Sequence, residues 1–360
     1  MHILVLSWRG PGHPLAGGAE ISTLEHAKGW VKGGHQVTWF TSIFPSCQQQ
    51  ETINGVQIIR RGVDIFGVHL EAFRWYVFGS HPRFDLVVDQ FHGIPFFTPL
   101  YVKAKKLAFI HEVAKEVWRL NPWPKPFNLI PAVIGQIGEP LIFRLLYTQI
   151  PFMTVSESTR ADLMDFGVKN VTVIHNGVTL PRKMPKNGKE KVFTVIYLSA
   201  LAKDKGIEDA IEAFGLLHRR FPSSKFWVVG KGDKDYVHYL KSRCQVGKFW
   251  GFVSESRKFE LLARAQVLLN PSVHEGWGLV NIEANSVGTP VVGYNVAGIK
   301  DSVIDGKTGI LVGEKKVGGL VTALEKIKTG THWESGCKWW ARNFTWYKSV
   351  QESLKLITKL

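Results

Sequence analysis

The chain has 360 residues, too many for a typical single domain and suited to two α/β units of about 150–180 residues each. Hydrophobic content of 45% with 21% charged residues is ordinary globular composition, which excludes a disordered or low-complexity chain. Forty-five Lys and Arg against 30 Asp and Glu leave a formal charge of +15, which favours anionic partners, and no helix-turn-helix, zinc-finger or RRM signature makes nucleic acid the preferred one.

Residues 2–8 (HILVLSW) lack the basic n-region of a secretory signal and read as a buried strand. A helix over 18–31 and a strand over 35–42 complete a βαβ unit, which implies a parallel sheet. The near-continuous apolar runs 84–91 and 106–112 continue it, as expected of strands covered on both faces. Between 103 and 127 the cations Lys103, Lys105, Lys106, Lys115, Arg119 and Lys125 alternate with Trp118, Trp123 and Phe127, a composition that suits a membrane headgroup layer. The apolar stretch 129–155 carries Gln136, Glu139 and Arg144. An ionised residue at a bilayer centre costs roughly 3 kcal/mol, so the protein is expected to be soluble or at most membrane-peripheral. Strands at 151–158 and 171–178 flank a helix starting at Ser158.

Residues 181–191, within the Pro-, Lys- and Gly-rich run LPRKMPKNGKEK, read as a linker between domains at 1–180 and 192–343. The βα alternation then restarts: strands at 192–200, 224–233, 248–254, 265–273, 290–295 and 308–313, with helices at 206–220 and near 279–287. Two Rossmann-like domains across a deep cleft are therefore expected, with an amphipathic helix at 344–360 packing back on the first domain. Cys47, Cys244 and Cys337 are scattered, with neither a CxxC pair nor metal-ligand spacing, so reduced thiols in a cytoplasmic setting are expected. The GPG of residues 10–12 is not a dinucleotide fingerprint, because the GxGxxG spacing fails.

Residues 270–292, NPSVHEGWGLVNIEANSVGTPVV, carry the chemistry. A strand ends, a turn with Gly276 and Gly278 lets the backbone approach a ligand, and a helix beginning near Leu279 offers free amides to an anion. Glu275 on that turn and Glu283 in the helix's first or second turn can both face the carboxyl ends of the strands, where ligands bind in such folds.

This segment resembles glycosyltransferase family 4 (glycosyl transferases group 1), the retaining GT-B transferases that carry a Glu-x7-Glu motif here. The likeness extends through LSALAKDKGIEDAIEAF (198–214), VVGKGD (228–233), FWGFVS (249–254) and VAGIKDSVIDGKTGILV (296–312). In the first half it includes GGAE (17–20), IHE (110–112) and residues 155–178. The resemblance implies a GT-B fold, a first domain for the acceptor and a second for the donor. It implies retaining transfer of a hexose-type sugar from a UDP- or GDP-sugar, with no metal and no cofactor beyond that co-substrate. The acceptor hydroxyl is expected on a sugar, a lipid-linked glycan or a polysaccharide precursor, at the inner face of the membrane.

Carried over by position, Glu275 would contact donor-sugar hydroxyls and Glu283 the ribose. Gly276, Trp277, Gly278, Leu279 and Val280 would surround the diphosphate, whose leaving charge Lys205 would neutralise. Gly17 and Gly18 would close over the phosphates, His111 would sit near the donor sugar, and Gly230, Phe252 and Val253 would meet the base. Asp89, Glu112, Trp118 and Trp123 lie where an acceptor would sit, with core or surface packing the equal alternative. One position departs from the pattern: the arginine usual shortly before the Lys205 equivalent is Ala200, with Lys203 or Arg9 as replacement cations. A GT-B nucleotide-sugar epimerase and a non-catalytic nucleotide-sugar binding protein are the alternative readings.

Overall fold

The computed structural model describes residues 1–91, 93–120, 129–180, 188–330 and 332–360. Trp123, Lys125, Phe127 and most of the expected linker lie outside the described residues. The chain forms two compact units, Met1–Gly177 together with Trp346–Leu360, and Val178–Thr345.

The first unit runs β1 (His2–Leu6), α1 (Gly18–Lys32), β2 (Gln36–Thr41), β3 (Gln50–Ile53), β4 (Val56–Arg60), α2 (Asp64–Phe78), β5 (Leu86–Phe91), β6 (Lys105–Ile110), α3 (Leu129–Ile142), β7 (Phe152–Thr154), α4 (Glu157–Asp165) and β8 (Val171–Val173). Its sheet has the order β3-β4-β2-β1-β5-β6-β7-β8. Every pairing is parallel except the β3–β4 hairpin. The Ile3–Leu6 run of β1 and Val87–Val88 of β5 are fully enclosed, which is why these strands read as unbroken apolar runs. The hairpin turns on Asn54–Gly55, both at positive φ, as a two-residue turn matched to strand twist requires.

The second unit runs β9 (Thr194–Leu198), α5 (Ile207–Arg220), β10 (Lys225–Val229), α6 (Lys234–Arg243), β11 (Gly247–Gly251), α7 (Glu255–Arg264), β12 (Val267–Asn270), α8 (Leu279–Ser286), β13 (Val291–Tyr294), α9 (Ile299–Ser302), β14 (Gly309–Val312), α10 (Val317–Thr329) and α11 (Trp333–Ala341). Its sheet is wholly parallel in the order β11-β10-β9-β12-β13-β14. The chain steps one way from β9 to β11 and the other way from β12 to β14. The order therefore reverses between β9 and β12, the switch point where the loops of a doubly wound sheet part and leave room for a ligand.

The last helix, α12 (Trp346–Lys359), belongs to the first unit. It lies against α1 so closely that a Cβ on Gly29 would fall 2.1 Å from Val350 Cγ1. The Trp30 indole donates to Ser353 Oγ at 3.0 Å, and His26 Nδ1 is 2.9 Å from the same oxygen.

Candidate active site

The two loops that leave the switch strands of the second unit carry the densest set of chemistry-bearing residues. After β9 the chain makes a tight helical turn at Lys203–Lys205 and enters α5 through Gly206. After β12 it runs from Pro271 to Gly278 and enters α8. Their backbones touch. Gly206 has φ +68, and a Cβ there would fall 2.0 Å from the Pro271 carbonyl oxygen, so only glycine fits. Val273 N–H donates to the Asp204 carbonyl at 2.9 Å and ties the loops again.

That backbone contact brings Lys205 to Glu275. The ammonium lies 3.1 Å from Glu275 Oε1 and 3.8 Å from Asp204. The Ser272 hydroxyl sits 2.9 Å from Glu275 Oε1 and 2.8 Å from Asn270 Oδ1, one proton between two acceptors. Asn270 Nδ2 donates to Asn281 Oδ1 at 2.9 Å, and Asn281 Nδ2 donates to Ser302 Oγ at 2.9 Å. Ser272, Asn270, Asn281 and Ser302 are all buried, so the relay ties the carboxylate through the core to α8 and α9. The main chain at Glu275 is fixed as well. Its N–H donates to the Ala297 carbonyl at 3.2 Å, and a Cβ on Gly298 would stand 2.1 Å from its carbonyl oxygen. Sequence reading missed this scaffold; the amides and hydroxyls at 270, 272, 281 and 302 carry no spacing signal.

Gly278 takes the left-handed conformation that starts α8, and the amides of Leu279 and Val280 stand in its first turn, where a helix leaves donors without intrahelical partners. A partial positive charge gathers there, which an anion complements. Trp277 corrects the expected donor-binding set. Its side chain is 2% exposed, with its ring edge-on to Phe344 at 5.0 Å, so a ligand at this turn can meet only its backbone.

Glu283, on the second turn of α8, forms a separate pair. Lys258 of α7 donates to its Oε1 at 2.8 Å, and Glu255 holds the same ammonium at 2.8 Å. Glu283 Oε2 is enclosed without a hydrogen-bond partner among the described residues. Burial pushes the Glu283 carboxyl above its usual range, and Lys258 pulls it back only in part. Burial also works against the Lys258 ammonium, but Glu283 and Glu255 outweigh it and hold its pKa above the ordinary lysine value. Lys258 was not foreseen from sequence, because a lysine one turn into an amphipathic helix reads as solvated surface.

The remaining expected residues divide. Lys203 and Ala200 are exposed on the β9 loop. Arg9, offered as a replacement cation, is held in the first unit by Glu20 Oε1 at 2.9 Å and the Leu15 carbonyl at 3.0 Å. Gly17 N–H donates to Glu20 Oε2 at 2.6 Å at the start of α1, with Gly18 its first residue. His111 follows β6 and is buried, its carbonyl accepting from Thr159 Oγ1 at 3.1 Å. Asp89 is a core carboxylate rather than an acceptor contact: it accepts from Phe96 N–H, the Thr98 hydroxyl at 2.7 Å and the Tyr147 hydroxyl at 2.6 Å. Gly230 closes on the Ser199 carbonyl, which a Cβ would meet at 1.8 Å. Phe252 is 78% exposed beneath Lys231, and Val253 packs on the core. Glu112 is half-buried. Among the described residues no three His, Cys, Asp or Glu side chains gather as a metal set.

Two family models match the chain, Glycosyltransferase Family 4 over residues 16–182 and Glycosyl transferases group 1 over residues 181–336. The glycogen synthase of Mycobacterium tuberculosis is 31% identical over 270 residues, covering 72% of this chain and 59% of that protein. The chain therefore matches under two thirds of that relative's length. The α-monoglucosyldiacylglycerol synthase of Acholeplasma laidlawii is 30% identical over 339 residues, covering 82% of this chain and 81% of that protein. Among solved structures, Anabaena HepE in complex with UDP and glucose superposes with a TM-score of 0.76 at 18% identity, covering 100% of both chains, a likeness of fold.

Proposed function

The chain belongs to glycosyltransferase family 4 and has the GT-B fold, and from that premise we propose that it transfers a hexose-type sugar, with retention, from a UDP- or GDP-sugar to an acceptor hydroxyl. The observation that carries this reading is the Lys205–Glu275 pair at the switch point, beside the opening turn of α8. Expelling a nucleoside diphosphate builds charge on its β-phosphate. Lys205, on a loop tied to the Pro271–Gly278 loop at Gly206 and Val273, and the amides of residues 278–280 absorb that charge. Glu275, freed from Lys205 when phosphate takes its place, accepts from donor-sugar hydroxyls. Glu283 accepts from the ribose through Oε2, and Phe252 offers the base an exposed ring. Departure needs no metal in this scheme. His111, Gly17 and Gly18 keep their expected roles as part of the same proposal.

A UDP-sugar donor has the support of HepE, whose structure is a complex with UDP and glucose. A lipid acceptor has the support of the Acholeplasma enzyme, whose name is that of a monoglucosyldiacylglycerol synthase. Ala200, in place of a phosphate-clamping arginine, favours one other reading, a nucleotide-sugar binding protein without turnover.

Incubation with labelled UDP-glucose and GDP-mannose separates these readings. Released nucleoside diphosphate supports the transferase, a new sugar epimer an isomerase, and binding without turnover a sensor. Glu275→Gln and Lys205→Ala should each lower turnover at least a hundredfold with the melting temperature within a few degrees of the parent. If both variants keep parental turnover, the site assignment is wrong.

A further inference from the structure

The sequence places membrane-suited residues at 103–127, but the structure turns the described indole of that stretch inward. Trp118 packs on α3, where a Cβ on Gly135 would fall 2.1 Å from its ring, and its indole N–H donates to Glu139 Oε2 at 3.1 Å. The apolar surface lies on α3 itself. The adjacent pairs Leu129–Ile130 and Val133–Ile134, then Ile137, Leu141 and Leu145 in the π-helical turn Phe143–Tyr147, recur every three or four residues and are all exposed, Ile134 and Ile137 at 65% and Leu145 at 70%. Ala132, Gly135, Glu139, Phe143 and Tyr147 form the opposite, buried stripe. A helix whose aliphatic stripe faces outward is the reverse of a normal surface helix.

We infer that the outward face of α3 and its π-helical turn is a docking surface for an anionic lipid bilayer, on which the first unit rests. Two observations select this occupant. Apart from Arg144 the exposed face is aliphatic, without the Tyr and Trp that protein interfaces concentrate at their centres. Cations stand on and beside it: Arg144 is exposed within the stripe, and Arg119 is exposed next to the helix. Arg119 lies at the helix itself, 3.4 Å from Gln136 Oε1. Aliphatic side chains entering the acyl boundary beside cations meeting anionic headgroups are the two components of interfacial binding. The helix lies on the bilayer rather than crossing it, because Glu139 on its inner face accepts from the amides of Ala114 and Lys115 at 3.0 and 3.2 Å and pins it to the unit. This deepens the acceptor half of the proposed function, since a lipid-linked acceptor presents its hydroxyl at such a surface.

Co-sedimentation with phosphatidylcholine vesicles containing 30% phosphatidylglycerol, against pure phosphatidylcholine vesicles, tests it. The parent should bind the anionic vesicles at least tenfold more tightly. Ile134→Glu/Ile137→Glu, and the milder Ile134→Ser/Ile137→Ser, should lose at least tenfold of that binding, and Arg119→Glu/Arg144→Glu should lose the preference for phosphatidylglycerol. Donor turnover without an acceptor should stay at the parental level in all three, since none of these residues belongs to the second unit; its loss in the parent would instead sink the transferase reading. The surface assignment is overturned if the parent stays in the supernatant, if both isoleucine variants sediment as the parent does, or if light scattering shows a dimer that those variants dissociate.

Discussion

A carboxylate with one oxygen engaged and the other enclosed without a partner, as at Glu283, is an unusual thing for a fold to tolerate. Its raised pKa means that the ionised form costs stability once the pH exceeds the ordinary glutamate value, and the Lys258 pair reduces that cost. Replacing Lys258 with methionine keeps the stem and removes the cation. The Glu283 pKa should then rise further, so the acid limb of donor binding moves to higher pH. Donor KM at neutral pH should rise roughly fivefold, about 1 kcal/mol for a lost charge-assisted bond, while kcat changes little. Lys258→Arg should restore most of the loss. Steady-state kinetics across pH 5–8 with the three proteins checks this, and a KM profile unchanged in Lys258→Met would remove Lys258 from any positioning role.

Helix α12 shows how an element at the far end of the sequence can be held by a few contacts. Its seat on α1 is shaped by the absent side chain of Gly29 and by Ser353, which His26 and the Trp30 indole share. His26 is fully enclosed, and burial lowers its pKa to about 4. A histidine held neutral in the fold but free to charge when unfolded contributes stability that is complete above pH 6.5 and is lost as the pH falls towards 4. The window spans about 2.5 pH units, so the loss approaches roughly 3 kcal/mol. Denaturant unfolding at pH 7, 5.5 and 4.5 should show this slope, and His26→Phe should flatten it. The hairpin β3–β4 makes a different point about elements. The Asn54–Gly55 pair is a strong local signal for a two-residue turn, yet the short strands around it, the polar edge strand β3 and its neighbour β4, were not read from the sequence.

For the whole molecule, the strand order of the second sheet matters more than any one loop. Because β9 and β12 are neighbours although 70 residues of chain and two further strands separate their loops, Lys205 and Glu275 meet. Bound UDP or GDP should therefore protect two segments remote in sequence together. Hydrogen exchange with saturating nucleotide should slow the amides of 199–206 and 271–280 in the second unit, and protection of only one of the two segments would contradict a shared site.

Sequence by itself determined the parallel α/β class, the restart of the βα alternation after residue 190, and the Gly-rich turn with its two glutamates, because covered strands and glycine turns leave local, periodic signals. The pairing of those glutamates with Lys205 and Lys258, the inward turn of Trp118 and Trp277, the enclosure of Asp89 and the outward face of α3 were decided by the tertiary structure. Each depends on which distant surface a side chain meets, and neither hydrophobicity nor spacing along one element encodes that. An aliphatic stripe reads the same in sequence whether it is covered by the core or faces outward.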